Sequence, residues 1–157
     1  MKRPAFGEPR DLWERDGSFR DVYVFAATAS DWNVLFALAR KYGHRYTYEG
    51  SEKPLPEASS IFAKRDGSHL LQIFVGRSFA NCHFFLPSEI ELDLDPREIN
   101  DAQDHTNVLL FLEQLSEGTS KAVLVTAENA EDVPYLRYEP HSREWTVYES
   151  GARTNDA

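Results

Sequence analysis

The chain has 157 residues, 41% of them apolar, with 26 acidic against 17 basic side chains and a net charge of -9. This length and apolar content suit one well-buried domain and exclude a disordered chain. The negative balance argues against duplex nucleic acid and anionic membranes and favours a basic protein as partner.

Residues 1 to 19 are interrupted by Pro4, Gly7, Pro9, Gly17 and charges. They predict an irregular segment anchored by Leu12 and Trp13, with no apolar stretch resembling a signal peptide or membrane span. Asp21 to Ala27 is apolar on both faces and predicts an interior strand. Thr28 and Asp31 have capping-box spacing, and Trp32, Leu35, Phe36 and Ala39 recur at helical intervals. Arg40, Lys41 and Gly43 suit the end of that first main helix. Arg45 to Glu49 reads as a short strand, and Gly50 to Ser60, with Pro54 and Pro56, as a long loop.

Asp66-Gly67 separates two apolar-rich runs and is a strong short-range hairpin signal. It predicts Ile61 to Arg65 pairing with Ser68 to Val75, with Phe62, Lys64, His69 and Leu71 on one face. Phe79 to Leu86 follows as a strand ended by Pro87. Ala80, Cys82, Phe84 and Leu86 form its core face, and Phe79, Asn81, His83 and Phe85 the other. In Ile90 to Asp95 the apolar Ile90, Leu92 and Leu94 alternate with outward Glu91, Asp93 and Asp95.

Asp101 and Asp104 open a second main helix whose apolar side is Val108, Leu109, Phe111, Leu112 and Leu115, with Gly118 as its stop. Lys121 to Thr126 predicts another interior strand. Tyr135 to Glu139 and Glu144 to Glu149 predict an edge hairpin, and Ser150 onward a frayed tail. The expected architecture is a single α+β domain over residues 1–157 with its core in 20–149. It comprises a mainly antiparallel or mixed sheet of about six or seven strands, with two main helices on one side.

The chemistry-bearing residues form no catalytic motif. His44, His69, His83, His105 and His141 lack metal-ligand spacing, and Cys82, the single cysteine, sits between Ala80 and Phe84 as a buried thiol. Neither a metal nor a cofactor is expected, and a lone thiol suits a reducing, cytoplasmic setting. The most informative feature is acidic: Glu89, Glu91, Asp93, Asp95, Glu98, Asp101 and Asp104 share a short region whose one cation is Arg97. Like charges along a strand face repel, so such a run predicts a docking surface for a basic protein. Tyr46, Tyr48, Tyr135, Tyr138 and Trp145 are its candidate aromatic anchors. An ordinary solvated strand face, with aromatics covering the sheet, explains the same residues without a partner.

In size and charge the chain resembles the small acidic immunity and antitoxin proteins of bacteria, which implies a protein that binds and inhibits a basic partner such as a nuclease. Two alternatives remain. One is a small enzyme whose pocket joins Glu91 and Asp93 to His69 or His83; the other is a self-associating or ligand-binding domain that buries the aromatics.

Overall fold

The computed structural model describes residues 1–149, so the tail expected to fray from Ser150 lies outside the described residues. The elements are β1 (Arg20–Phe25), α1 (Ala29–Tyr42), β2 (His44–Tyr48), β3 (Ser51–Lys53), α2 (Ala58–Ala63), β4 (His69–Val75) and β5 (Ser78–Cys82). They continue with β6 (Glu89–Leu94), a 3-10 turn (Pro96–Glu98), α3 (Ala102–Thr119), β7 (Val123–Ala127), β8 (Ala130–Glu139) and β9 (Glu144–Val147). The strands form one sheet in the order β3-β2-β4-β5-β6-β1-β7-β8-β9, and all neighbours are antiparallel. The α+β architecture with helices on one side is as the sequence predicts, with nine strands among the described residues in place of six or seven. The predicted interior strands β1 and β7 are neighbours, and the terminal hairpin β8–β9 is an edge.

Alternation decides which residues enter the core. Val22 and Val24 of β1, Leu71, Ile73 and Val75 of β4, Ala80 and Cys82 of β5, and Ile90, Leu92 and Leu94 of β6 all face the helices. There they meet Trp32, Leu35 and Phe36 of α1 and Val108, Leu109, Phe111, Leu112 and Leu115 of α3. Helix α1 begins with the expected reciprocal capping box: Asp31 N–H donates to Thr28 Oγ1, and Thr28 N–H donates to Asp31 Oδ2. The Lys121 ammonium also pairs with Asp31, which fixes the helix start against the entry to β7.

Three expectations are corrected. The hairpin at Asp66-Gly67 does not form, because residues Ala58–Ala63 are helical and β4 pairs instead with β2 from Tyr48↔His69 to His44↔Ile73. That pairing occupies the edge the hairpin would have used, and Gly67 is not among the glycines at positive φ. The two-residue turn lies at Gly76-Arg77, where Val75 pairs with Ser78 and Gly76 has φ 63. Second, the strand from Phe79 ends at Cys82; Phe84, at φ 61, turns the chain while its ring packs on Trp32 at 5.6 Å. Third, Gly118 lies inside α3 rather than ending it. A Cβ there would sit 2.6 Å from Val34 Cγ1, so the bare backbone permits close approach of α1, and Ser120 at φ 57 supplies the left-handed end.

The N-terminal segment is irregular and firmly tied down. Trp13 Nε1–H donates to His105 Nδ1 at 2.9 Å, and His105 Nε2–H donates to the Pro4 carbonyl at 2.9 Å. Arg3 makes two bonds to the Glu113 carboxylate. The fully buried Arg20 guanidinium is held by the carbonyls of Asp11, Leu12, Glu14 and Phe19.

Candidate functional site

The helices leave the other face of the sheet without a helical cover. Its central residues follow from register: Asp21↔Asp93, Tyr23↔Glu91 and Phe25↔Glu89 between β1 and β6, then Asp93↔Asn81 and Asn81↔Gln72 towards β4. Directly paired antiparallel residues lie about 4.5 to 5.5 Å apart at Cα. Asp21, Glu89, Glu91 and Asp93 therefore form one compact acidic field. Towards one end stand Phe74 and Phe79, paired across β4 and β5 with rings 5.7 Å apart; towards the other stand Phe25 and Phe85. Phe25, Phe74 and Phe79 are each 37% exposed and Phe85 is 55% exposed. These four phenylalanines, rather than the tyrosines, are the aromatic surface of the face.

Within the field, some charges are satisfied. Asp93 accepts from Asn81 Nδ2–H at 3.0 Å and lies 3.0 Å from His83 Nε2. Asp21, 3% exposed, accepts from the Asn129 backbone N–H at 2.7 Å, and its pKa is raised, chiefly by burial. Glu89 and Glu91 have no ion pair among the described residues. Burial, followed by the charges of Asp21, Glu89 and Asp93, pushes Glu91 up to about 7, with His83 opposing the rise. Burial, then the charges of Asp21, Glu91 and Glu89, push the Tyr23 hydroxyl above its ordinary range. His83 is raised, first by its hydrogen bond to Asp93. The nearest arginines that register places on this face stand further out, each beside its own carboxylate: Arg45 with Glu52 and Arg137 with Glu139.

The acidic run therefore divides. Glu89, Glu91 and Asp93 lie on the open face, half-buried. Asp95 is paired with Arg97 and caps the 3-10 turn, and Glu98 accepts the Phe79 backbone N–H at 3.0 Å. Asp101 caps α3, while Asp104 is buried, and Arg77 from the β4–β5 turn binds both. Asp104 accepts from Asn100 N–H rather than from its own cap residue, so the expected reciprocal box is absent.

The predicted aromatic anchors are corrected as a group. Tyr46, Tyr135 and Tyr138 are 4%, 7% and 0% exposed, and none can supply a surface anchor. The Tyr46 hydroxyl donates to His69 Nδ1 at 2.6 Å, and Tyr48 lies under the Lys64 ammonium near α2. Trp145 Nε1–H donates to Glu113 of α3. Strand register turns these side chains away from the acidic face.

Of the two histidines considered for a catalytic pocket, folding brings His83 to Asp93, at 3.0 Å on the open face, and leaves His69 apart. His69 has the parity of Leu71 and Ile73 and donates from Nε2 to the Lys64 carbonyl, whereas His83 lies with Asp93 on the open face. The two imidazoles are on opposite sides of the sheet. A groove of about 830 Å³ lies on the helical side between α1 and α2, lined by Trp32, Phe36, Arg40, Glu57 and Phe62 among others, and it contains no histidine. Among the described residues no group of three or more His, Cys, Asp or Glu side chains is placed to hold a metal ion. Cys82 is buried, and burial pushes its thiol up to about 12. No described helix is long and apolar enough to cross a membrane.

No protein-family model, curated protein or solved structure matches the chain.

Proposed function

We propose that the chain is an interaction module that binds a basic protein across the open face formed by β1, β4, β5 and β6, and inhibits that partner by covering its basic surface. The observation that carries this reading is the pair Glu89 and Glu91, half-buried, without an ion pair among the described residues, and set between exposed phenylalanines. Apolar rings supply contact area, and uncompensated carboxylates select a positive counterpart and steer it in. The buried thiol of Cys82 is compatible with a partner met in the cytoplasm.

The test compares retention of proteins from the native cell on immobilised wild type, on a Glu91→Lys/Asp93→Lys variant, and on a Phe25→Ser/Phe85→Ser variant of unchanged charge. A third variant, Glu57→Lys/Glu117→Lys, places equal charge changes on the helical side. The reading expects a basic protein held by wild type and by the helical-side variant, released by salt, and lost from both open-face variants. Retention that ignores the open-face substitutions would overturn it.

A further inference from the structure

Strand register forces Asp21 and Tyr23 of β1 against Asp93 and Glu91 of β6, with Glu89 two residues away on the same face. From the end of β5, His83 leans on Asp93; from the β7–β8 turn, Glu128 acts on Asp21, and from β8, Glu131 acts on Glu89. Among the described residues every fixed charge facing Glu91 is thus a carboxylate, and His83 is the one group able to become positive. Four carboxyl groups this close on a half-buried face are eased by a proton, and a cation brought by a partner eases them in the same way. The two compete for the same field.

Resting on the docking reading above, we infer that the open face exchanges a proton for its partner: the Glu91 carboxylic acid gives its proton to solvent as a basic side chain of the partner forms an ion pair there. Protonated His83 opposes the same partner, so acid weakens docking through both groups. The face is therefore a pH-graded surface that holds a basic protein more tightly at and above neutrality than below it. The position of Glu91 at about 7 in the free chain places the exchange near neutral pH. If an arriving cation lowers that value by one pH unit, linkage gives about 0.4 proton released at pH 7 and about a fivefold tighter complex at pH 8 than at pH 6.

The experiment uses deca-arginine as the cationic probe and the full chain. Calorimetric titration at pH 7 in two buffers of different ionisation enthalpy counts protons, and carboxyl carbon NMR follows Glu91 with and without peptide. The expected results are proton release of at least that amount, a lowered Glu91 midpoint with peptide, and a release cut by Glu91→Gln to the part that His83 contributes. Peptide that binds the Phe25 and Phe85 face with no proton release and an unmoved Glu91 midpoint would overturn the exchange while leaving the docking surface standing. Peptide binding unaffected by Glu91→Gln and Phe25→Ser/Phe85→Ser at pH 6 and pH 8 alike, or no binding at either pH, would overturn both.

Discussion

Glu91→Gln should make the protein more stable, by a margin that grows from about pH 4.5 and levels off above about pH 7. Glu91 ionises at about 7 in the folded chain against an ordinary 4.5, so folding holds its proton more tightly than the unfolded chain does. A group with a raised folded pKa contributes stability below its unfolded value and loses it as pH rises through the folded value. At 1.36 kcal/mol per pH unit the full difference is about 3.4 kcal/mol. Glu91 is only half-buried and solvent screens its neighbours, so about 1 to 2 kcal/mol is the expected gain at pH 8. For a chain of this length that is a rise in Tm of about 3 to 6 °C. At pH 4.5 to 5 the wild-type side chain is itself protonated when folded, and glutamine should add little. Urea unfolding of both proteins from pH 5 to pH 8 measures the difference. An equal gain at both ends, or none at pH 8, would show that the crowding of carboxylates on this face does not govern Glu91.

Three further outcomes follow from other parts of the structure. His105 uses both ring nitrogens on Trp13 and Pro4, and burial lowers its pKa; stability should therefore fall with acidification below about pH 6.5, by up to about 1.4 kcal/mol per unit. Glu91 acts in the opposite direction, so the slope should stand out in the Glu91→Gln protein, with Trp13 fluorescence reporting it and His105→Phe abolishing it. Arg77→Ala removes the cation from Asp101 and from the buried Asp104 at the start of α3. Arg77 is itself largely exposed and Asp104 keeps its bond to Asn100 N–H, so a modest loss of stability in urea unfolding is expected, smaller in Arg77→Lys. Thr28→Ala should cost about 1 kcal/mol by dismantling the capping box, and Thr28→Ser much less.

What could be read from sequence was whatever is settled within a few residues. The Thr28–Asp31 box, the apolar stripe of α1 and the alternation of Ile90, Leu92 and Leu94 each depend on spacing alone, and each appears where expected. Asp66-Gly67 is also a local signal, but β4 has only two edges and β2 and β5 occupy both, so a distant pairing displaced the nearby one. The same dependence on distant partners hid the site. Arg77 is 24 residues before Asp101, and only folding shows that it neutralises one end of the acidic run. Tyr46 and Tyr138 could be assigned to a face only once β2 and β8 had been set in register, since a shift of one residue reverses every side chain. A better signal was present in the alternation of Phe79, Asn81, His83 and Phe85 opposite the core residues of the same run. That alternation marks a sheet face whose outer side carries phenylalanines, the residues that folding leaves exposed.

The position of Asp21 adds to the argument that the acidic face is not a neutral by-product of folding. Asp21 is in the interior strand β1, 3% exposed, facing Asp93, while the backbone of Asn129 turns in to bind it. A buried carboxylate facing another is unfavourable unless it is bonded, and a threonine or asparagine could accept the same N–H without the charge. Solvent exposure explains acidic residues on an open strand, but it cannot explain this one. If negative potential is what the face is built to present, Asp21→Asn should stabilise the fold modestly while weakening capture of the proposed basic protein. If Asp21 serves the β7–β8 turn alone, Asp21→Asn should leave capture unchanged, and measuring both quantities on the same variant separates the two roles.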